Sequence, residues 1–278
     1  MRIDAHQHFW RYNASEYDWI DDSMAALRRD FLPCDLEPEL IRVAFDASIA
    51  VQARQSLDET RWLLDLAASS SKIVGVIGWV DLCSPEAPRQ LRSFAAHPKL
   101  LGVRHVVQRE PDERFLLRPE FLCGVSLLEE FNLTYDILIY PRHLPVAAEF
   151  ARHLPRQRLV LDHLAKPPIR DGSLIPWKNH LRDLAQSPNV FCKLSGMVTE
   201  ADWKAWKPEH FTPYLDCAFE YFGPERVMIG SDWPVCTVAA PYSVTMRLVM
   251  DYLARYSSQI VDAVLGGNAQ RFWRRNSS

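Results

Sequence analysis

Short runs dominated by apolar residues recur along the chain at 3–6, 48–52, 73–80, 101–107, 133–139, 158–162, 190–194 and 227–230. Most are nearly continuous rather than alternating, the mark of strands covered on both faces. Segments with apolar residues at helical spacing lie between them. One opens at Ser56, where Ser56-x-x-Glu59 forms a capping box ahead of Trp62, Leu63, Leu64 and Leu66. Others follow at 85–96, 119–131, 144–153, 175–187, 208–222 and 242–256, and prolines stand at several of their starts, as suits a first helical turn. Alternating strands and helices predict right-handed βαβ units on a parallel sheet. Eight repeats over 278 residues predict an α/β fold with one domain, 1–278, closed as a TIM-type (β/α)8 barrel, for which roughly 250 residues is typical. The competing open, doubly wound sheet lacks support, because no G-x-G-x-x-G follows the first strand. The stretch 9–38 is long for a first strand-to-helix loop and carries Trp10, Tyr12, Tyr17 and Trp19. It reads either as a lid over the barrel mouth or as packing against the outside.

Composition narrows the class. The chain is 48 % hydrophobic and 24 % charged, with a net charge of −3 and acids and bases interleaved. No basic run points to nucleic acid or a membrane surface, and no stretch of eighteen apolar residues predicts a transmembrane helix. The chain starts directly into a strand, with no signal-type leader, so the expected location is cytoplasmic. Six cysteines lie far apart with no C-x-x-C, which predicts reduced thiols rather than disulfides or a thiolate zinc site.

Candidate chemistry follows from the barrel. Active sites of such folds lie at the C-terminal ends of the strands. There the chain places His6 and His8, then Gln52, Trp79 with Asp81, Arg104 with His105, Tyr135 with Asp136, Asp162 with His163, Lys193 with Ser195, and Ser231 with Asp232. His6 and His8 are two residues apart on a strand and so share a face. Together with His163 and Asp232 they offer three imidazoles and one carboxylate, a ligand set for one divalent metal, zinc first among the candidates.

These residues sit in motifs that carry a resemblance: I-D-A-H-Q-H-F-W on the first strand, D-H-L-A-K-P at the sixth, K-L-S-G at the seventh, G-S-D-W-P-V at the eighth and G-N-A-Q-R-F-W near the C-terminus. Over its whole length the chain resembles the amidohydrolase superfamily, in the amidohydrolase-2 branch of sugar lactonases, pyrone-dicarboxylate lactonases and decarboxylases. It is most similar to the L-fuconolactonase and L-rhamnonolactonase group. The resemblance implies a distorted (β/α)8 barrel with one zinc or similar ion at His6, His8, His163 and Asp232. It also leaves a metal-free form open, since some lactonases of the branch use the same residues without an ion. The fourth strand has no lysine to carbamylate, and the fifth offers Tyr135 and Asp136 where two-metal members carry histidine, so a binuclear centre is not expected.

The roles expected are Asp232 as general acid–base, His163 and Tyr135 on the acyl carbonyl, and Arg104 on an oxyanion or a substrate group. Gln52, Trp79, Asp81, Arg104, Lys193 and Trp233 are the expected substrate contacts. The expected reaction is opening of a sugar 1,4- or 1,5-lactone to the aldonic acid. The alternatives are a pyrone-dicarboxylate lactonase, a lactone isomerase or a decarboxylase on the same barrel, with a non-catalytic binding protein last. A dicarboxylate substrate needs several cations at the mouth; Arg104 and Lys193 are the two that strand ends supply, and loop arginines such as Arg54, Arg109 and Arg142 are placed to reach in.

Overall fold

The computed structural model describes residues 1–274. Eight parallel strands form one sheet in sequential order: β1 (Ile3–Gln7), β2 (Ala47–Val51), β3 (Ile73–Gly78), β4 (Leu100–His105), β5 (Thr134–Ile137), β6 (Leu159–Leu161), β7 (Val190–Leu194) and β8 (Val227–Ile229). All eight coincide with the apolar runs of the sequence. Helices α1 (Pro33–Arg42), α2 (Leu57–Ser69), α3 (Ala87–Ala95), α4 (Pro119–Ser126), α5 (Leu144–His153), α6 (Trp177–Ala185), α7 (Thr212–Phe222) and α8 (Tyr242–Leu253) follow the strands in turn. No described helix is long and apolar enough to cross a membrane.

The ring closes between its two ends. The Asp232 amide donates to the His6 carbonyl at 2.8 Å, and the His8 amide donates to the Trp233 carbonyl at 2.6 Å. The buried Asp4 carboxylate bridges the same seam, accepting from the Ser231 amide (2.9 Å), the Ser231 hydroxyl (2.6 Å) and the Tyr242 hydroxyl (3.2 Å). A (β/α)8 barrel is therefore the architecture.

Two cores result. The larger lies between the sheet and the helices; the smaller fills the barrel with Ile3, Ala5, Ile49, Val51, Ile77 and their neighbours. Its floor is the C-terminal α9 (Ser258–Asp262) and α10 (Asn268–Phe272) region, where Phe272 and Trp273 plug the N-terminal end of the barrel. The G-N-A-Q-R-F-W motif serves this closure: Asn268 donates to the carbonyls of Pro224 and Val227 at 2.8 and 2.7 Å, and the Trp273 indole donates to the Thr134 hydroxyl at 3.1 Å.

Two local expectations are revised. Ser56 does cap α2, accepting from the amides of Asp58 and Glu59 at 3.2 and 3.3 Å. Glu59 does not complete the box; its carboxyl instead accepts from the amides of Ala53 and Arg54 at 3.0 and 2.9 Å and from the Tyr17 hydroxyl at 3.1 Å. The 9–38 stretch divides between its two readings. Trp10 is buried with its indole on the Arg29 carbonyl (2.9 Å), Glu16, Asp18 and Trp19 form part of the mouth, and α1 packs on the outside.

Candidate active site

The polar end of the barrel begins with an irregularity. The β1 pairing shifts register between Asp4 and Gln7, so Ala5 faces the apolar barrel core while His6, next to it, faces the polar groups above. His8 follows His6 on the same side. The two glycines that flank the later motifs make room for these rings. A Cβ on Gly230 would stand 2.8 Å from the His6 Cβ, and a Cβ on Gly196, whose φ is +62°, would stand 2.5 Å from His163 Nδ1.

His163 reaches the site by an uncommon route. Residues 163–166 all have φ between +52° and +58°, a left-handed turn that costs roughly 1–2 kcal/mol per residue. The Lys166 amide closes it on the His163 carbonyl at 2.7 Å. The turn explains why Asp162 and His163, adjacent in sequence, both face the barrel axis, where plain strand alternation would send them apart. Asp232 is left-handed too, at φ +57°.

Four groups converge. Asp232 Oδ1 lies 3.2 Å from His8 Nε2 and 3.8 Å from both His6 Nε2 and His163 Nε2, and the Nε2 atoms of His6 and His8 are 3.2 Å apart. Zinc bonds of roughly 2.0–2.1 Å at tetrahedral angles set ligand atoms about 3.3–3.4 Å apart, so the spacing suits a single ion. The outer nitrogens are oriented for it. His8 Nδ1 donates to the Val51 carbonyl at 2.8 Å, and His163 Nδ1 faces the Ser195 hydroxyl at 2.9 Å. Arg104 Nη1 faces His6 Nε2 at 3.2 Å, while His6 Nδ1 lies 3.3 Å from the Asp162 carboxylate and 3.2 Å from Lys193 Nζ. These residues fit a mononuclear site, although a ligand bond at His6 Nε2 competes with Arg104. A second trio, His6, Asp162 and His163, also has metal-site spacing.

Electrostatics agree with ligand duty. Burial alone would raise Asp232, but the imidazoles of His163, His8 and His6 outweigh it and hold the carboxyl well below the usual carboxylate range. Burial pushes His163 down to about 4 against the pull of Asp232 and Asp162, and it holds His6 well below its ordinary value. Near neutral pH the site therefore presents a carboxylate and uncharged imidazoles at these positions. Beneath them lies a buried network. Arg104 Nη1 is 3.0 Å from Asp162, and Lys193 Nζ is 3.0 Å from Asp162 and in direct contact with Asp136. Burial would raise Asp162, yet Lys193, His6 and Arg104 together keep it ionised.

Above the four groups opens a cavity of about 620 Å³. Its lining includes His8, Arg104, His163 and Asp232. The other expected contacts lie elsewhere. Lys193 is fully buried under His6, above the Trp273 ring at 5.5 Å, and faces no cavity. Tyr135 points outward into the helix layer against Phe121 and Phe150, because its neighbour Asp136 takes the inward face of β5. Gln52 is buried and donates to the Arg104 carbonyl at 3.2 Å. Trp79 stands one layer back, its indole toward His105 at 3.4 Å, and His105 in turn holds the lining residue Glu110 at 2.7 Å. Asp81 accepts from the Cys83 amide at 3.2 Å in the loop after β3, and Trp233 packs on Phe9 and Phe31. Cys236 is a buried thiol pushed well above its ordinary range by burial.

The lining holds cations that strand ends did not reveal: Arg54, Arg109 and Lys166, all from loops. Each faces an acid. Arg54 lies 2.8 Å from Glu16, Arg109 meets Asp18 at 3.0 and 3.1 Å, and Lys166 lies 3.9 Å from Glu200. Lys166 stood in the D-H-L-A-K-P motif, but only the left-handed turn aims it inward.

Comparison with known proteins follows the same outline. The family model described as Amidohydrolase matches residues 3–275. The L-fucono-1,5-lactonase of Burkholderia multivorans (strain ATCC 17616 / 249) is 43 % identical over 98 % of this chain and 95 % of its own. The protein of the same name from Burkholderia ambifaria is 39 % identical over 99 % of this chain and 96 % of its own. A crystal structure of an amidohydrolase from Burkholderia multivorans with bound zinc is 43 % identical, covers 98 % of this chain and 99 % of its own, and superposes with a TM-score of 0.93.

Proposed function

The chain belongs to the amidohydrolase family, and from that premise we propose that it hydrolyses a sugar lactone, an aldono-1,5- or 1,4-lactone of the L-fucono type, to the free aldonic acid. The observation that carries this reading is the convergence of His6, His8, His163 and Asp232, with His8, His163 and Asp232 lining a polar cavity, in a chain so close over its whole length to L-fucono-1,5-lactonases.

The chemistry follows from the groups present. A water oxygen attacks the acyl carbon of the lactone, the ring C–O bond breaks, and the released alkoxide takes a proton. Asp232, ionised and aimed at the centre of the cluster, accepts the proton of the attacking water and returns it to the leaving oxygen. His163 orients the acyl group, and Arg104 supplies a fixed positive charge at the cavity floor, where negative charge develops. His6, His8, His163 and Asp232 are the residues that would hold a divalent ion, for which zinc is the proposal; when bound it supplies Lewis-acid polarisation and a lowered pKa for water. A dicarboxylate substrate is less well supported, because the arginines of the lining are each engaged by a carboxylate of the protein. A mouth of paired charges offers donors and acceptors to hydroxyl groups instead.

The test is a pH-indicator screen of aldonolactones, with 2-pyrone-4,6-dicarboxylate as the contrasting substrate, on metal-replete and chelated protein with metal content measured. Turnover of an L-fucono-type lactone is expected. Turnover of the pyrone and of no aldonolactone would sink the proposal. Full activity without stoichiometric metal would leave the lactonase reading but remove the ion from it.

A further inference from the structure

We infer that Lys166 is the anion-handling group of this site: its ammonium takes the negative charge that lactone opening places on the acyl oxygens, and it then holds the carboxylate of the aldonate product. The inference rests on the lactonase reading and adds a residue to it.

Three observations point there. The first is placement. In a turn closed between residues i and i+3 the two ends lie on the same side, and the Lys166 amide is bonded to the His163 carbonyl. Lys166 and His163 both line the cavity, whereas Leu164 and Ala165 between them are buried in the larger core. The second is strain. Four successive left-handed residues, none a glycine, persist only where the surroundings over-determine them, and such segments cluster at functional sites. Here the turn presents these two side chains to the cavity together.

The third is the state of the ammonium. Arg54, Arg104 and Arg109 each have a carboxylate oxygen within 3.0 Å. Among the described residues the carboxylate near Lys166 is Glu200 at 3.9 Å, beyond hydrogen-bond length, and the flat face of Tyr140 at 5.3 Å is its other neighbour. Burial raises Glu200 above its ordinary value, with the charge of Lys166 opposing and that of Asp232 adding. Lys166 thus keeps N–H donors for an arriving anion, beside the groups that would perform the attack. Lactone opening converts a neutral ester into a carboxylate, so an anion appears there in every turnover. A charge-assisted hydrogen bond is roughly twice as strong as a neutral one, and this contact strengthens as the reaction proceeds.

The test uses wild type, K166Q, K166R and E200Q on an aldonolactone that the wild type opens, reading kcat, KM and inhibition by the corresponding aldonate, with thermal melts to verify folding. K166Q is expected to lose on the order of 10- to 100-fold in kcat with a smaller change in KM, and to weaken aldonate inhibition by about tenfold or more. K166R should restore most of both. E200Q should tighten aldonate inhibition several-fold, because the ammonium loses its remaining acid. Folded K166Q with kcat and aldonate inhibition both within about twofold of wild type overturns the inference while leaving the lactonase reading intact. If K166Q does not fold, E200Q decides: unchanged or weaker aldonate inhibition overturns it. A wild type that opens no aldonolactone overturns both the reading and this inference.

Discussion

Asp232 is held by its surroundings in a form that an amide can imitate in shape but not in chemistry. Its backbone is left-handed, its amide is bonded across the barrel seam, and one carboxylate oxygen faces three imidazoles. Asp232→Asn keeps most of that geometry and loses the proton-accepting charge. We expect kcat on the preferred lactone to fall by about 10²–10⁴-fold, with KM changing much less. Metal content is to be read on the same preparation, since a lost ion mimics a lost base; near-normal kcat at unchanged metal content would make Asp232 structural. Gly196 is the second residue with a sharp expectation. Its Cβ would enter the His163 ring, and its φ of +62° is unfavourable for any other side chain. Gly196→Ala should therefore displace His163 and lower activity at least about tenfold, while a global melt shifts by the equivalent of roughly 1–3 kcal/mol. A variant as active as the parent would show that the ring has room to move.

At the scale of elements, the strands were legible and the turns were not. Runs such as Val190–Leu194 announce themselves because a barrel strand is covered on both faces, so apolarity is demanded at nearly every position. The same periodicity carried unused information at β5: with Asp136 inward, alternation alone sends Tyr135 outward, as the structure has it. The orientation of His163 and Lys166 was not legible, because four non-glycine residues in left-handed backbone follow from tertiary packing rather than local preference. Helix α1 was hidden inside the long first loop, since Pro38 in its interior lacks the amide that a helix ladder uses. Ser56 caps α2 as the capping-box motif predicts, whereas Glu59 takes partners that the motif does not. Its carboxyl ties the loop after β2 to Tyr17 of the first loop, so it braces two walls of the cavity.

Burial raises Glu59 to about 7 against those hydrogen bonds and Arg54, above the ordinary value near 4.5. A carboxyl raised in the folded state binds its proton more tightly there than in the unfolded chain. Its contribution is complete below pH 4.5 and is lost as pH rises through 7. Glu59→Gln removes that titration. The stability of wild type relative to Glu59→Gln should therefore decline between pH 4.5 and 7, by a total on the order of 3 kcal/mol. Denaturation curves at three pH values check this, and a pH-independent difference refutes it.

For the whole molecule, the barrel has a dry end and a wet end, and one residue seals the first. Trp273 lies under Lys193 and bonds Thr134, closing the interior opposite the cavity. Trp273→Ala should cost about 3–5 kcal/mol, visible as a lowered unfolding midpoint. Activity per folded molecule should suffer less, because the buried Lys193–Asp162–Arg104 network stands between the plug and the site. A loss of turnover without a loss of stability would mean that the floor of the barrel steers the chemistry above it.

The seam between β1 and β8 has a consequence in time as well as in space. His8 and Asp232 stand 224 residues apart along the chain, so His8 is synthesised well before Asp232. Their approach depends on main-chain bonds that join the two ends of the ring, the Asp232 amide to the His6 carbonyl and the His8 amide to the Trp233 carbonyl. A nascent or truncated chain that stops before β8 owns three imidazoles and lacks both the carboxylate and the strand that fixes their distance. Such a chain lacks the four-group cluster described above. The four groups stand together only where the ring has closed between β1 and β8.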